Sequence, residues 1–247
     1  MMIFKRKKKT PTVASPIAGT FQIIEAYKNI RTNLLFTLAN SDNNIVAITG
    51  AEPNAGKSTA TANLAITMAQ TGAKVLIIDA DMRRPSLHKT FRVKRTNGLS
   101  MILSGMLPYE ECICHEVAKS LDFIPSGSTP PNPSELLGSE AMDLLLERVK
   151  AEYDYIFIDL PPLGVVSDAL LVGAHAAGIV LICRQRQTTY EELQHTIENI
   201  RHVNQPILGV VITDVKQADR TYGWYDKYHY YKRYDYSYSH NTADSSK

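Results

Sequence analysis

The chain is poor in cysteine, with Cys112, Cys114 and Cys183 its three among 247 residues. Three thiols at irregular spacing build no disulfide framework. A C-x-C pair with no second pair and no histidine cluster nearby is a weak metal set. Reduced thiols are the expectation, which suits the cytosol. Long apolar runs are also missing. None approaches the roughly 18 residues of a membrane helix. Met1 to Lys9 is basic but has no apolar segment behind it, so no signal peptide is expected. Charge of one sign is not in excess: the net value of +2 gives no global argument for nucleic acid. Leu, Ile and Val are absent from Thr221 onward, so that stretch can build no core and is expected to be mobile.

What is present is a hydrophobic content of 44%, enough for one sizeable core and better suited to one α/β domain than to two. Ile45 to Thr59 reads IVAITGAEPNAGKST. Its first five residues are an apolar, β-branched run expected to form a buried strand. Ala51-Glu52-Pro53-Asn54-Ala55-Gly56-Lys57-Ser58 follows. This is the P-loop pattern, with Ala51 in place of the first glycine and Gly50 one residue earlier. From Thr59 the chain is expected to be helical. Such a loop wraps a polyphosphate with backbone N–H groups, and Gly56 lets the backbone bend closely there. The helix N-terminus adds unpaired N–H groups and its positive dipole end. Lys57 places a compact positive charge on the β- and γ-phosphates, and the Ser58 hydroxyl is a hard ligand suited to Mg2+.

Strands are expected at Lys74–Asp79, Leu121–Ile124, Tyr155–Asp159, Ile179–Cys183 and Ile207–Ile212. Helices are expected at 21–39, 140–152 and 190–202, and helical turns over 97–116. Residues 126–134, SGSTPPNPS, read as a Pro-rich loop with Ser134 an N-cap. This alternation predicts a mostly parallel sheet with helices on both faces. Asp79 and Asp81 leave the second strand at the carboxyl edge, beside the P-loop. Two like charges near polyphosphate are favourable only with a cation between them, so Mg2+ is expected there. Asp159 ends another apolar strand, where a second Mg2+-organising carboxylate belongs.

Three domains of character follow: a flexible basic arm over 1–20, a P-loop domain over 21–218, and a tail over 219–247. Lys5 to Lys9 could meet anionic lipid or an acidic partner, or be merely solvated. Glu25, Lys28 and Arg31 step by three along the first helix, as a solvated face or as an interface with acidic groups of a neighbouring subunit. The tail holds eight of the 13 tyrosines: Tyr222, Tyr225, Tyr228, Tyr230, Tyr231, Tyr234, Tyr236 and Tyr238. These could stack on single-stranded nucleic acid, form a sticky low-complexity segment, or accept phosphate.

Five features together resemble the bacterial tyrosine kinases of capsule and exopolysaccharide synthesis. They are the Ala51–Ser58 loop, LIIDADMRRP at Leu76–Pro85, IFIDLPP at Ile156–Pro162, PPNPSELL at Pro130–Leu137, and the tyrosine cluster. The form is that of the cytoplasmic kinase of Gram-positive systems, whose membrane-spanning activator is a separate protein. The resemblance implies an ATP- and Mg2+-dependent protein-tyrosine kinase. Lys57 would bind phosphates. Ser58, Asp79, Asp81 and Asp159 would serve the metal, with Asp79 the base for the acceptor hydroxyl. Residues Ala51 to Thr59 would cradle the nucleotide. The tail tyrosines would be phosphorylated between subunits of a ring, an octamer in this family. The implied partners are a membrane adaptor of the polysaccharide co-polymerase type, a cognate phosphotyrosine phosphatase and other protein substrates, with no nucleic acid. The implied location is cytoplasmic, held to the membrane through the adaptor.

Two departures stand out. Glu25, Lys28 and Arg31 represent an E-x-x-R-x-x-R helix with lysine for the first arginine, which loses a planar fork donor. Thr213 occupies a position where an asparagine would contact the base. The rival reading is a partition- or division-type P-loop ATPase, a switch without kinase activity. Such proteins carry a second lysine early in the P-loop, where Glu52 stands here.

Overall fold

The computed structural model describes residues 21–164 and 168–215. The basic arm and the tyrosine tail lie outside the described residues. In chain order the elements are α1 (Phe21–Leu38), β1 (Ile45–Gly50), α2 (Lys57–Ala69), β2 (Val75–Asp79), α3 (Leu87–Thr90), α4 (Leu99–Leu103), α5 (Tyr109–Cys112), β3 (Cys114–Ala118), β4 (Leu121–Ile124), α6 (Pro133–Leu137), α7 (Glu140–Glu152), β5 (Tyr155–Asp159), α8 (Asp168–Gly173), β6 (Gly178–Arg184), α9 (Tyr190–His202) and β7 (Ile207–Thr213). The sheet has seven strands in the order β3-β4-β2-β5-β1-β6-β7. Among the described strands only β3 runs antiparallel to its neighbour.

The central strands are apolar throughout because both faces are covered. Along β1, Ile45 and Ala47 enter one core while Val46 and Ile48 enter the other. The first core packs under α4, α7, α8 and α9, through residues such as Leu99, Leu145, Val172 and Ile200. The second packs under α1, α2 and α3, through Leu34, Leu64 and Leu87. This is the helix-covered, mostly parallel sheet that the alternation predicted, and it is a P-loop NTPase fold. Among the described residues no helix is long and apolar enough to cross a membrane.

Register brings the candidate residues to one edge. Asp79 is the partner of Asp159, which in turn pairs with Ile48. Gly50 pairs with Ile182, and Arg184 pairs with Thr213. The ends of β1, β2, β5, β6 and β7 therefore meet on the carboxyl side of the sheet.

Two local expectations are corrected. Cys114–Ala118 is an edge strand and not a helical turn: Ala118 pairs with Leu121 across a tight connection in which Ser120 has φ 59°. Val117 and Ala118 gain burial by pairing, which outweighs the weak local pattern. Ser134 is not an N-cap. Pro133 opens α6, its missing N–H costing nothing at that position, and Asn132 takes the cap position without a side-chain cap bond.

Candidate active site

The P-loop leaves β1 at Gly50 and enters α2 at Lys57. Gly56 has φ 92°, a conformation that suits glycine, and a Cβ there would come within 3.4 Å of the Thr213 side chain. No side chain caps α2 at Gly56. Its first N–H groups and the positive end of its dipole therefore remain available to an anion. In front lies a cleft of about 410 Å3, lined by Pro53, Asn54, Gly56, Lys57, Ser58 and Thr59, with Asp81, Arg83 and Arg84 on its other wall.

Three carboxylates gather behind the cleft, all buried. Asp159 accepts from the Ser58 hydroxyl at 2.5 Å and from the Thr61 hydroxyl at 3.1 Å. Lys57 Nζ stands 3.8 Å from Asp81 Oδ2, both side chains nearly closed to solvent. The second Asp81 oxygen accepts the Arg84 backbone N–H at 2.9 Å. Asp79 differs from both: neither of its oxygens has a hydrogen-bond partner among the described residues. Burial raises its pKa well above the ordinary value, the charges of Asp159 and Asp81 raise it further, and the nearby backbone N–H groups of Asp81 and Leu87 pull weakly the other way. Burial also lifts Asp159 to about 6, although Lys57 and the Ser58 hydroxyl pull the other way.

Three carboxylates against one ammonium leave two negative charges if all are ionised. That surplus, with an orphaned pair of oxygens on Asp79, fits a divalent cation. Among the described residues no three His, Cys, Asp or Glu side chains converge as a metal cage. The donor set therefore fits Mg2+ of the kind held by one or two protein oxygens together with phosphates and water.

The structure brings together Lys57, Ser58, Asp79, Asp81 and Asp159 as expected. Glu52 turns away from the cleft, its carboxylate bonded to Thr188 Oγ1 at 2.5 Å and Gln187 Nε2 at 3.2 Å. Ala51 and Ala55 are buried. On α1, Lys28 is paired with Glu25 at 2.8 Å, and Arg31 donates to the Thr67 carbonyl of α2 at 2.9 Å. The eight tail tyrosines are outside the described residues. Two residues were missed by sequence reasoning. Thr61 lies three residues beyond Ser58 on the same helix face, a spacing that could have flagged it. Thr213, met only as a departure from a family pattern, donates its hydroxyl to the Ala55 carbonyl at 2.7 Å and so ties the end of β7 to the P-loop. Arg184, ion-paired to Asp214 at 3.0 Å, adds a longer contact of 3.4 Å to the Asn54 carbonyl.

A family model described as an AAA domain matches residues 43–210. The tyrosine-protein kinase YwqD of Bacillus subtilis is 38% identical over 202 residues, spanning 81% of this chain and 85% of that protein. EpsB of Ralstonia solanacearum is 37% identical over 219 residues, which is 89% of this chain and 29% of EpsB, so the chain spans under a third of that relative. Among solved structures, the kinase domain of the Escherichia coli tyrosine kinase ETK superposes with a TM-score of 0.80 at 34% identity, covering 90% of this chain and 87% of that one. With the phosphate-binding loop, the uncapped helix and the buried carboxylates already in place, these likenesses show that the chain belongs to the P-loop family of bacterial tyrosine-protein kinases.

Proposed function

We propose that the chain is a Mg2+–ATP-dependent protein-tyrosine kinase whose acceptors include its own tyrosines between Tyr222 and Tyr238. The observation that carries this is Asp79: a buried carboxylate with no side-chain partner, at the back of a phosphate-binding cleft. Bound Mg2+–ATP would supply the phosphoryl group and the charge neutralisation that its transfer requires. Lys57 and the N–H groups of the loop and of α2 would hold the phosphates. Ser58, fixed by Asp159, would present its oxygen to the metal. A tyrosine hydroxyl has a pKa near 10, so an adjacent carboxylate that takes its proton lowers the barrier. Asp79, buried behind the cleft with no side-chain hydrogen-bond partner, is our candidate.

The same proposal includes transfer between subunits of a ring, a cytoplasmic location, an adaptor that holds the ring at the membrane, an opposing phosphatase, and control of capsule or exopolysaccharide production. Glu25, Lys28 and Arg31 are its interface candidates. The rival reading, a P-loop ATPase switch, differs in a measurable way. Intact-mass spectrometry after incubation with Mg2+–ATP is expected to show a ladder of phosphate additions on the tail, and Lys57→Met is expected to abolish it. Additions that persist in Lys57→Met would overturn the role of Lys57. ATP hydrolysis by the wild type without any addition would favour the switch.

A further inference from the structure

Ahead of Lys57 the P-loop carries one charged residue, Glu52, and it has the sign of the phosphates. A carboxylate beside a polyphosphate opposes its binding. The next two residues, Pro53 and Asn54, line the cleft. The Glu52 side chain is held elsewhere. Its Oε1 accepts the Thr188 hydroxyl at 2.5 Å, and its Oε2 accepts Gln187 Nε2 at 3.2 Å. Both donors belong to the segment between β6 and α9.

That segment is fixed at several points. The Thr188 and Gln187 N–H groups both bond to the Arg184 carbonyl, at 3.0 and 3.2 Å, and the Gln185 N–H bonds to the Thr213 carbonyl of β7 at 3.0 Å. Thr189 caps α9 in a reciprocal capping box with Glu192. The Thr188 oxygen also accepts the Arg184 N–H at 2.8 Å. With that lone pair engaged, the hydroxyl proton is aimed at Glu52. The Glu52 charge therefore lies against the end of β6, where it joins burial in raising the Cys183 thiol pKa. Glu52 and Thr188 are both half-buried, so solvent screens the charge incompletely.

We infer that Thr188 is a positioning residue for nucleotide binding: its hydroxyl holds the Glu52 carboxylate off the phosphates. Released from Thr188, that carboxylate is free to turn toward the cleft beside Pro53 and Asn54. A simple structural tie predicts that losing either partner costs the same. A restrained charge predicts an asymmetry. Losing the donor leaves a loose negative charge near the phosphates, whereas neutralising Glu52 removes the charge itself. The role rests on the Mg2+–ATP reading of the cleft but not on tyrosine transfer, because nucleotide binding is read directly.

Calorimetry of Mg2+–ADP binding to the full chain separates the two. Thr188→Val is expected to weaken binding about tenfold, and Thr188→Ser, which keeps the hydroxyl, to stay within about twofold of wild type. Glu52→Asp keeps the charge but is one methylene shorter, and should match Thr188→Val, which also serves if Thr188→Val does not fold. Glu52→Gln keeps the length without the charge and should stay within about twofold; added to Thr188→Val it should recover most of the loss. Raising salt from about 0.05 M to about 0.5 M shortens screening from roughly 14 Å to roughly 4 Å, so the Thr188→Val defect should shrink. Glu52→Gln binding as weakly as Glu52→Asp, a double variant no better than Thr188→Val, or a defect indifferent to salt would each overturn the role of Thr188. So would variants that all bind like wild type. A wild type that binds no nucleotide overturns the reading of the cleft and this role with it. Intact nucleotide binding without the phosphate ladder overturns the kinase reading alone.

Discussion

The two ends of the sheet each bury a carboxylate, and they treat it in opposite ways. Near the amino ends of the strands, Asp122 of β4 accepts the Tyr153 hydroxyl at 2.7 Å, the Glu116 N–H at 2.8 Å and His115 Nδ1 at 2.9 Å. Burial alone would raise its pKa, but the Glu116 N–H, Tyr153 and His115 outweigh it, and the pKa falls below the ordinary 3.8. At the carboxyl ends, Asp79 has no side-chain partner and its pKa rises, chiefly through burial. The strand β5 links the two, with Tyr153 just before its start and Asp159 at its end. A buried carboxylate with both oxygens hydrogen-bonded is part of the scaffold. One left empty in a cleft is held there against its own preference by the surrounding fold.

That contrast predicts opposite costs for similar changes, and the largest effect is on activity at Asp79. Asp79→Asn keeps the shape and removes the base. Tail phosphorylation should fall by about two orders of magnitude or more, the usual contribution of a positioned base. The melting temperature should hold, because burial already favours the neutral form of this carboxyl and no side-chain hydrogen bond is lost. Intact-mass rates and a thermal scan read both numbers. A variant that keeps its rate, or that loses stability, would erase the distinction between the two ends.

Asp122→Ala should do the reverse. It strands the Tyr153 hydroxyl and the Glu116 N–H, at a cost of about 3 kcal/mol in urea unfolding, since bonds to a charged group are the stronger kind. The rate per folded molecule should be unchanged. The depressed pKa sets the pH window. The contribution is present above the unfolded value, near 3.8, and is lost as pH falls through the lower folded value. Acid sensitivity of wild-type stability should therefore flatten below about pH 4 in Asp122→Asn. A variant that loses phosphorylation in step with Asp79→Asn would show that the amino-terminal cluster belongs to the chemistry.

The two ends also differ in how far the sequence reveals them. The nucleotide edge is local in sequence: one strand, one loop and one helix lie within Ile45–Ala69, and the aspartates end apolar runs. Parallel pairing then brings them together without further instruction. The Asp122 cluster was invisible because Tyr153 lies 31 residues away and His115 and Glu116 reach Asp122 only once β3 has paired with β4. Strand β3 was missed for a related reason. Its residues Cys114-His115-Glu116-Val117-Ala118 alternate poorly, and only the antiparallel partner decides their state. The turn of Glu52 toward Thr188 was equally unreadable, since it depends on where β6 delivers the next loop.

Thr213 is the intermediate case: its polar group is satisfied like that of Asp122, yet it stands at the carboxyl end of its strand like Asp79, against the P-loop. Its hydroxyl reaches the Ala55 carbonyl, and its methyl faces the hydrogen side of Gly56. Thr213→Val keeps the methyl and deletes the bond, leaving the Ala55 carbonyl without that donor. A single neutral hydrogen bond is worth about 1 kcal/mol, so Mg2+–ADP affinity measured by calorimetry should weaken by about fivefold. Thr213→Ser restores the donor and should restore the affinity, which a change in packing alone would not. If Val and Ser behave alike, the hydroxyl does not set the loop, and the end of β7 reduces to an edge strand beside the site. If Val weakens nucleotide binding while unfolding free energy drops by a similar small amount, the bond serves both scaffold and site. The boundary between the two ends would then run through the P-loop itself.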